Sequence, residues 1–151
     1  MSSDLRLLEF GAGASTLFFQ ERVSHLTALE SERYWVELLR PQLSANVALI
    51  TVCDRDADSY VGPVTSGALG LFDVVFVDGK FRNRCMREAL KLVSDSGVIL
   101  LDDSSRETYR ESFALMRANG YKALRISGVK PGGVVSDETT IFYRDVNCLE
   151  I

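Results

Sequence analysis

The chain has 151 residues, 46% of them hydrophobic, and a net charge of -4, which suits one domain over 1–151 with a sizeable core and lacks the basic footprint that a nucleic acid partner demands. Its three cysteines, Cys53, Cys85 and Cys148, are too widely spaced for a disulfide framework or a zinc site. No run nears the roughly 18 apolar residues of a membrane span and residues 1–6 lack a signal-peptide layout, so a soluble, unprocessed, cytoplasmic protein is expected.

The first predicted element is a strand over 5–10, running through Leu7-Leu8-Glu9-Phe10 into the turn Gly11-Ala12-Gly13-Ala14-Ser15-Thr16, which opens a helix. A second strand over 25–29 is closed by an acid, Glu30. Ser31 then opens a helix whose Tyr34, Trp35, Leu38 and Leu39 recur at helical spacing until Pro41 stops it, and these side chains are expected to pack on a sheet. A third strand covers 47–53. The stretch 56–70, rich in Gly, Ser and Asp, holds a short helix at most. A fourth strand over 72–77 leads to a helix over 83–93 with Cys85, Met86, Ala89, Leu90 and Val93 on its apolar face. A fifth strand over 98–101 precedes a helix over 107–118, with Tyr109, Phe113 and Met116 on one stripe and Asn119-Gly120 as its left-handed stop. Most of these strands are continuous apolar runs, as expected of a parallel sheet covered on both faces. The last two runs, 121–127 and 139–143, are joined by the Lys130-Pro131-Gly132-Gly133 loop without a helix and read as antiparallel neighbours. Trp35 and the Phe18-Phe19 pair read as core, Cys53 as apolar filler of a buried strand, and His25, remote from the strands' carboxyl ends, as structural.

Strand, turn lined with backbone N–H groups, helix, strand, acid is the order in which doubly wound α/β folds grip a nucleoside-containing cofactor. Glu9-Phe10-Gly11-Ala12-Gly13, Glu30, the aspartates after the third strand and Phe72-Asp73-Val74-Val75-Phe76-Val77-Asp78-Gly79 together resemble the motifs of the class I S-adenosylmethionine (SAM)-dependent methyltransferases, over residues 5–144. The resemblance implies a Rossmann-like α/β fold: a doubly wound, mainly parallel seven-stranded sheet with a C-terminal antiparallel hairpin. It further implies methyl transfer from SAM to an oxygen or nitrogen of a small polar acceptor. Glu9, Gly11, Gly13 and Ser15 would form the cofactor turn, Glu30 would take the ribose hydroxyls, Asp54 or Asp56 would meet the adenine, and Asp78 would stand beside the transferred methyl. The physical logic agrees, because a carboxylate accepts two hydroxyl hydrogen bonds in one plane. A nicotinamide cofactor uses the same acid, but its fingerprint wants a third glycine where Thr16 stands.

Asp78, Asp102 and Asp103 follow the fourth and fifth strands and are expected to converge. Converging carboxylates favour either one raised pKa, giving a base for an acceptor hydroxyl, or a divalent cation such as Mg held by all three. The metal arrangement resembles catechol-type O-methyltransferases, with Asp103 where those place an asparagine; the other reading of Asp103 is a cap for the next helix, with Ser104 or Ser105. Asp78, aided by Asp102, and Lys80 are the candidate catalytic residues. Lys80, Arg82, Arg84, Arg87, Arg106 and Arg110 gather near this end, either to recruit an anionic acceptor or as solvated helix faces.

Family members carry lid helices ahead of the first strand, and here that strand begins at residue 5, so a fold without the N-terminal lid helices is expected. A homo-oligomer or partner subunit covering the site, or an open site, is then expected. Two other functions stay open: a cofactor-binding scaffold without turnover, and an NAD-dependent oxidoreductase.

Overall fold

The computed structural model describes residues 4–129 and 136–151, so the Lys130-Pro131-Gly132-Gly133 loop lies outside the described residues. The apolar runs become strands β1 (Arg6–Phe10), β2 (His25–Glu30), β3 (Val47–Thr51), β4 (Phe72–Val77) and β5 (Val93–Leu101), all parallel, with β6 (Lys122–Val129) and β7 (Ser136–Tyr143) closing the sheet. The order is β3-β2-β1-β4-β5-β7-β6, with β7 antiparallel to both neighbours. The order reverses beside β1, which puts a crevice at the carboxyl ends of the central strands.

Helices cover both faces, and the period-two alternation of each strand serves them. Leu8, Phe10, Val75, Val77, Ile99 and Leu101 pack under α3 (Ala57–Thr65), α4 (Arg82–Leu92) and α5 (Arg110–Ala118); Leu7, Leu26, Ala28 and Val74 face α1 (Ala14–Phe19) and α2 (Arg33–Leu39). The sequence undervalued α3, whose polar composition hides a full helix. Asp56 caps it by accepting from the Ser59 N–H at 2.7 Å, and Tyr60, Val61 and Val64 bury one face. β5 begins at Val93 instead of 98, directly from α4, because the polar Ser94-Asp95-Ser96-Gly97 stretch bulges out where one residue of β4, Asp73, opposes four of β5.

Three packing expectations are corrected. On α2 it is Val36 and Leu39 that are buried, while Tyr34 (72%), Trp35 (44%) and Leu38 (43%) are exposed; Phe18 is likewise exposed under the Arg22 guanidinium, whereas Phe19 packs edge-on against Phe76. Cys53 is also exposed, since edge strand β3 ends at Thr51. His25 begins β2 on the surface beside Ser24. Among the described residues no helix is long and apolar enough to cross a membrane.

Candidate functional site

A cleft of about 440 Å³ opens at the carboxyl ends of β1, β2 and β4, lined by the Gly11 to Ser15 turn, Glu30 to Glu32, Trp35, Tyr60 and Asp78 to Lys80, within the size range of small-molecule sites. Its floor is a close meeting of two backbones. Gly11 has φ +96°, and a Cβ there would lie 2.6 Å from the Gly79 Cα; a Cβ on Gly79 would lie 2.9 Å from the Gly11 N and strike the Tyr60 hydroxyl. Only glycine at both positions lets the turns after β1 and β4 close up. Gly13 is different: its backbone is extended and an added Cβ would meet nothing within 4 Å.

Two buried acids shape the turn from beneath. Glu9 is fully buried and accepts from the Ser15 hydroxyl and, at 2.6 Å, from Thr16 Oγ1. Burial pushes its carboxyl up to about 7 against the lowering effect of those two hydroxyls. Glu9 and Ser15 therefore serve each other, and of the two only Ser15 lines the cleft. Thr16, which replaces the dinucleotide glycine, also accepts from the Gly13 N–H at 2.9 Å and fixes the turn. Glu30 accepts three backbone hydrogen bonds, from Ala12 at 3.0 Å and from Ser31 and Glu32 at 2.7 Å each. A carboxylate has about four acceptor positions, so the side chain that lines the cleft also clamps the loops after β1 and β2 together.

Asp78, Asp102 and Asp103 do converge, but around a cation of the chain's own. Arg82, only 11% exposed, donates through Nη2 to Asp78 Oδ1 and to the Asp78 carbonyl, both at 2.8 Å, through Nε to the Gly79 carbonyl at 3.0 Å and through Nη1 to the Asp102 carbonyl at 2.5 Å. The same Nη1 is 3.4 Å from Asp103 Oδ2, which Arg106 also binds, and Asp102 Oδ1 accepts from Thr139 at 2.5 Å. The expected metal set of Asp78, Asp102 and Asp103 is therefore corrected: among the described residues no cluster of three or more ligating side chains could hold a metal ion, and a guanidinium already engages the carboxylates of Asp78 and Asp103. Asp103 does not cap a helix either; it lies buried at φ +53° with its carboxylate committed to arginines. Burial pushes Asp78 up to about 6, with Arg82 opposing the rise and Asp102 and Asp103 adding to it. Phe81 at φ +51° and Asp103 are left-handed non-glycine residues in the loops after β4 and β5, a strain of about 1–3 kcal/mol each that commonly marks functional sites.

Lys80, expected beside the acceptor, lines the same cleft as Asp78. Its ammonium bridges Glu32 Oε1 and Asp54 Oδ2, at 2.5 Å each, so it ties together the loops after β2, β3 and β4 on the side of the cleft away from β5. Asp54, and then Glu32, hold the ammonium well above its ordinary pKa, and Lys80 keeps the Asp54 carboxyl below its own. Asp54 thus borders the cleft through Lys80, while Asp56 is spent on capping α3. Lys80→Ala is expected to weaken ligand binding in the cleft by about two- to fivefold without unfolding the protein, since half-exposed ion pairs are worth little individually. Calorimetry at low and high salt would read the loss, and the difference between variant and parent should shrink as salt rises. Unchanged affinity would dismiss the bridge.

The other basic residues near this end are also paired: Arg84 with Asp58 and Glu88, Arg87 with Glu111, Arg106 with Asp103, Arg110 with Glu107. The sequence reading missed Tyr60 and misplaced Trp35. Tyr60 comes from α3, buried in the cleft wall with its ring 5.8 Å from that of Phe81. Trp35 stands half exposed at the cleft wall rather than in the core. Its signal was an aromatic five residues after the β2 acid, with the same spacing as a core position.

No family model matches the chain, and no curated protein matches it. Solved structures do. An O-methyltransferase from Bacillus cereus in complex with SAH aligns at a TM-score of 0.76 and 21% identity, over 92% of this chain and 73% of that one. An O-methyltransferase from Streptomyces achromogenes involved in tomaymycin synthesis, in complex with SAM, aligns at 0.70 and 21%, over 94% and 74%. Spermidine synthase from Thermotoga maritima aligns at 0.66 and 13%, over 96% of this chain and 54% of that one. The strand order, the lone antiparallel β7 and the crevice at the strand carboxyl ends agree with these likenesses: the chain has the seven-stranded α/β fold of the SAM-dependent methyltransferases.

Proposed function

We propose that the cleft binds SAM and that the protein transfers its methyl group to an oxygen or nitrogen of a small polar acceptor. The observation that carries this reading is the meeting of Gly11, Gly13, Glu30 and Asp78 in one cleft at the carboxyl ends of β1, β2 and β4. SAM, when bound, supplies a methyl carbon on a positively charged sulfur, open to attack by a lone pair from the opposite side. The chain's own part is to hold, orient and take a proton. Gly11 and Gly79 keep the floor free of side chains. With three acceptor positions of Glu30 used by backbone N–H groups, one is left for a ribose hydroxyl, and the Glu32 carboxylate on the same wall is the natural acceptor of the second.

Asp78 takes the proton of the acceptor. Arg82 holds its Oδ1 and the Asp102 carboxyl beside it favours its protonated form, and a carboxyl pushed up to about 6 is a stronger base than an ordinary aspartate while remaining mostly ionised at pH 7. Because the folded-state pKa is raised, the working carboxylate is present above about 6 and lost as the pH falls below it. The accompanying stability runs the other way, fully present below the ordinary value of 3.8 and lost as the pH rises through about 6. The Arg82 guanidinium pairs with the Asp78 and Asp103 carboxylates, which makes the group a poor match for a divalent cation. Most of the acceleration would come from holding donor and acceptor in line.

Titration calorimetry with SAM, SAH and NAD tests the cofactor: saturable binding of the first two and none of NAD is expected. NAD binding without SAM binding would establish the oxidoreductase reading instead. A carbon NMR titration of the side-chain carboxyls should show a resonance with a midpoint near pH 6 that disappears in Asp78→Asn; an Asp78 midpoint near 4 would remove it as the base.

A further inference from the structure

A second cavity, about 320 Å³, lies apart from the cofactor cleft, between the loop after β5, α5 and β6. Four guanidinium groups converge on it: Arg106 from the loop, Arg110 and Arg117 two turns apart on α5, and Arg125 from β6. Gathering like charges in one hollow is costly unless acids or a ligand offset them, and the acids fall short. Asp103 binds Arg106 and Glu107 binds Arg110, but Glu138 is 3.9 Å from Arg125 and no acid partners Arg117 among the described residues. The Arg125 guanidinium instead lies 4.7 Å from the centroid of the Phe113 ring, which lines the same cavity. A guanidinium held against an aromatic ring keeps its N–H edge available to a ligand. The exposed Ser105 at the rim adds a hydroxyl donor.

We propose that this cavity binds the oxyanion group of a small molecule, a phosphate fitting best because several guanidinium forks can share its oxygens and its charge. The net charge of -4 and the small volume speak for a small ligand and against a nucleic acid backbone. The proposal does not rest on methyl transfer, since none of these residues lines the cofactor cleft.

Inorganic phosphate is titrated into the full chain by calorimetry at constant ionic strength held with chloride. Saturable binding is expected, weakened about tenfold by Arg117→Ala and by Arg125→Ala, the loss of one charge-assisted hydrogen-bonding group each. Arg33→Ala, which removes an exposed arginine of α2, should leave it unchanged. Arg117 forms no ion pair among the described residues, so its variant carries the test should Arg125→Ala disturb the edge strand, and circular dichroism confirms that each variant is folded. Absence of saturable binding, or equal binding by Arg117→Ala and Arg33→Ala, would overturn the site. SAM titrated into Arg117→Ala should bind as to the parent, so a failure of the cofactor reading and a failure of this one are told apart.

Discussion

Gly11→Ala is expected to abolish SAM binding and to destabilise the fold by about 2–5 kcal/mol, from left-handed strain together with overpacking. At φ +96° the new Cβ would sit 2.6 Å from both the Cα and the N of Gly79, and both are backbone atoms of the turn that ends β4. A side chain in the way could rotate aside; the backbone of a turn anchored to a central parallel strand cannot. Gly13→Ala is the matched control, for its Cβ would meet nothing within 4 Å. Thermal unfolding followed by circular dichroism, with calorimetry beside it, should show a large loss of stability in the first variant and nearly none in the second. Equal, small losses in both would mean that the floor of the cleft is not set by the Gly11–Gly79 approach.

The second large effect is expected at Glu30. Removing its carboxylate in Glu30→Ala strands the N–H groups of Ala12, Ser31 and Glu32, three donors held at 3.0, 2.7 and 2.7 Å, and the loss of such bonds costs about 3 kcal/mol or more in total. Both the clamp and the ribose contact go, so SAM affinity should fall beyond detection while the melting temperature drops. Glu30→Gln separates the two roles. Its amide keeps one acceptor oxygen and its shape, so it should recover part of the stability and little of the affinity. Full affinity in Glu30→Gln would show that the charge has no part in holding the ligand.

Much of this was legible because the central strands are continuous apolar runs and the acid after β2 stands alone. The mainly parallel seven-stranded sheet with its antiparallel C-terminal pair followed from the resemblance, and the convergence of Asp78, Asp102 and Asp103 from the adjacency of β4 and β5. What escaped the sequence has identifiable causes. The bulge in β5 hides Val93 to Gly97 behind turn-forming residues, and α3 disguises its apolar face of Tyr60, Val61 and Val64 among Gly, Ser and Pro. Spacing cannot tell whether an aromatic on a short helix faces the sheet or the crevice, which misplaced Trp35. The metal expectation failed on a cation that was in plain view: Arg82 lies four residues after Asp78, but whether it turns inward to the aspartates or outward to water depends on the loop geometry set by Gly79 and Phe81. The same dependence sent the Lys80 ammonium to Glu32 and Asp54.

The contact between Gly11 and Gly79 also bears on the order of assembly. These residues are far apart along the chain, and their turns meet only when β1 and β4 are paired in register, Phe10 beside Val77. Parallel pairing over such a separation is slow, because the intervening loop must be closed before any contact repays it. The cleft needs Asp78 to Lys80 after β4 as well as the turn after β1 and the acid of β2, so a partly folded chain in which β4 is unpaired has the motif but not the binding site. Ligand capture is therefore a report that the central sheet is complete, and a ligand present during refolding stabilises the end of the pathway rather than its beginning.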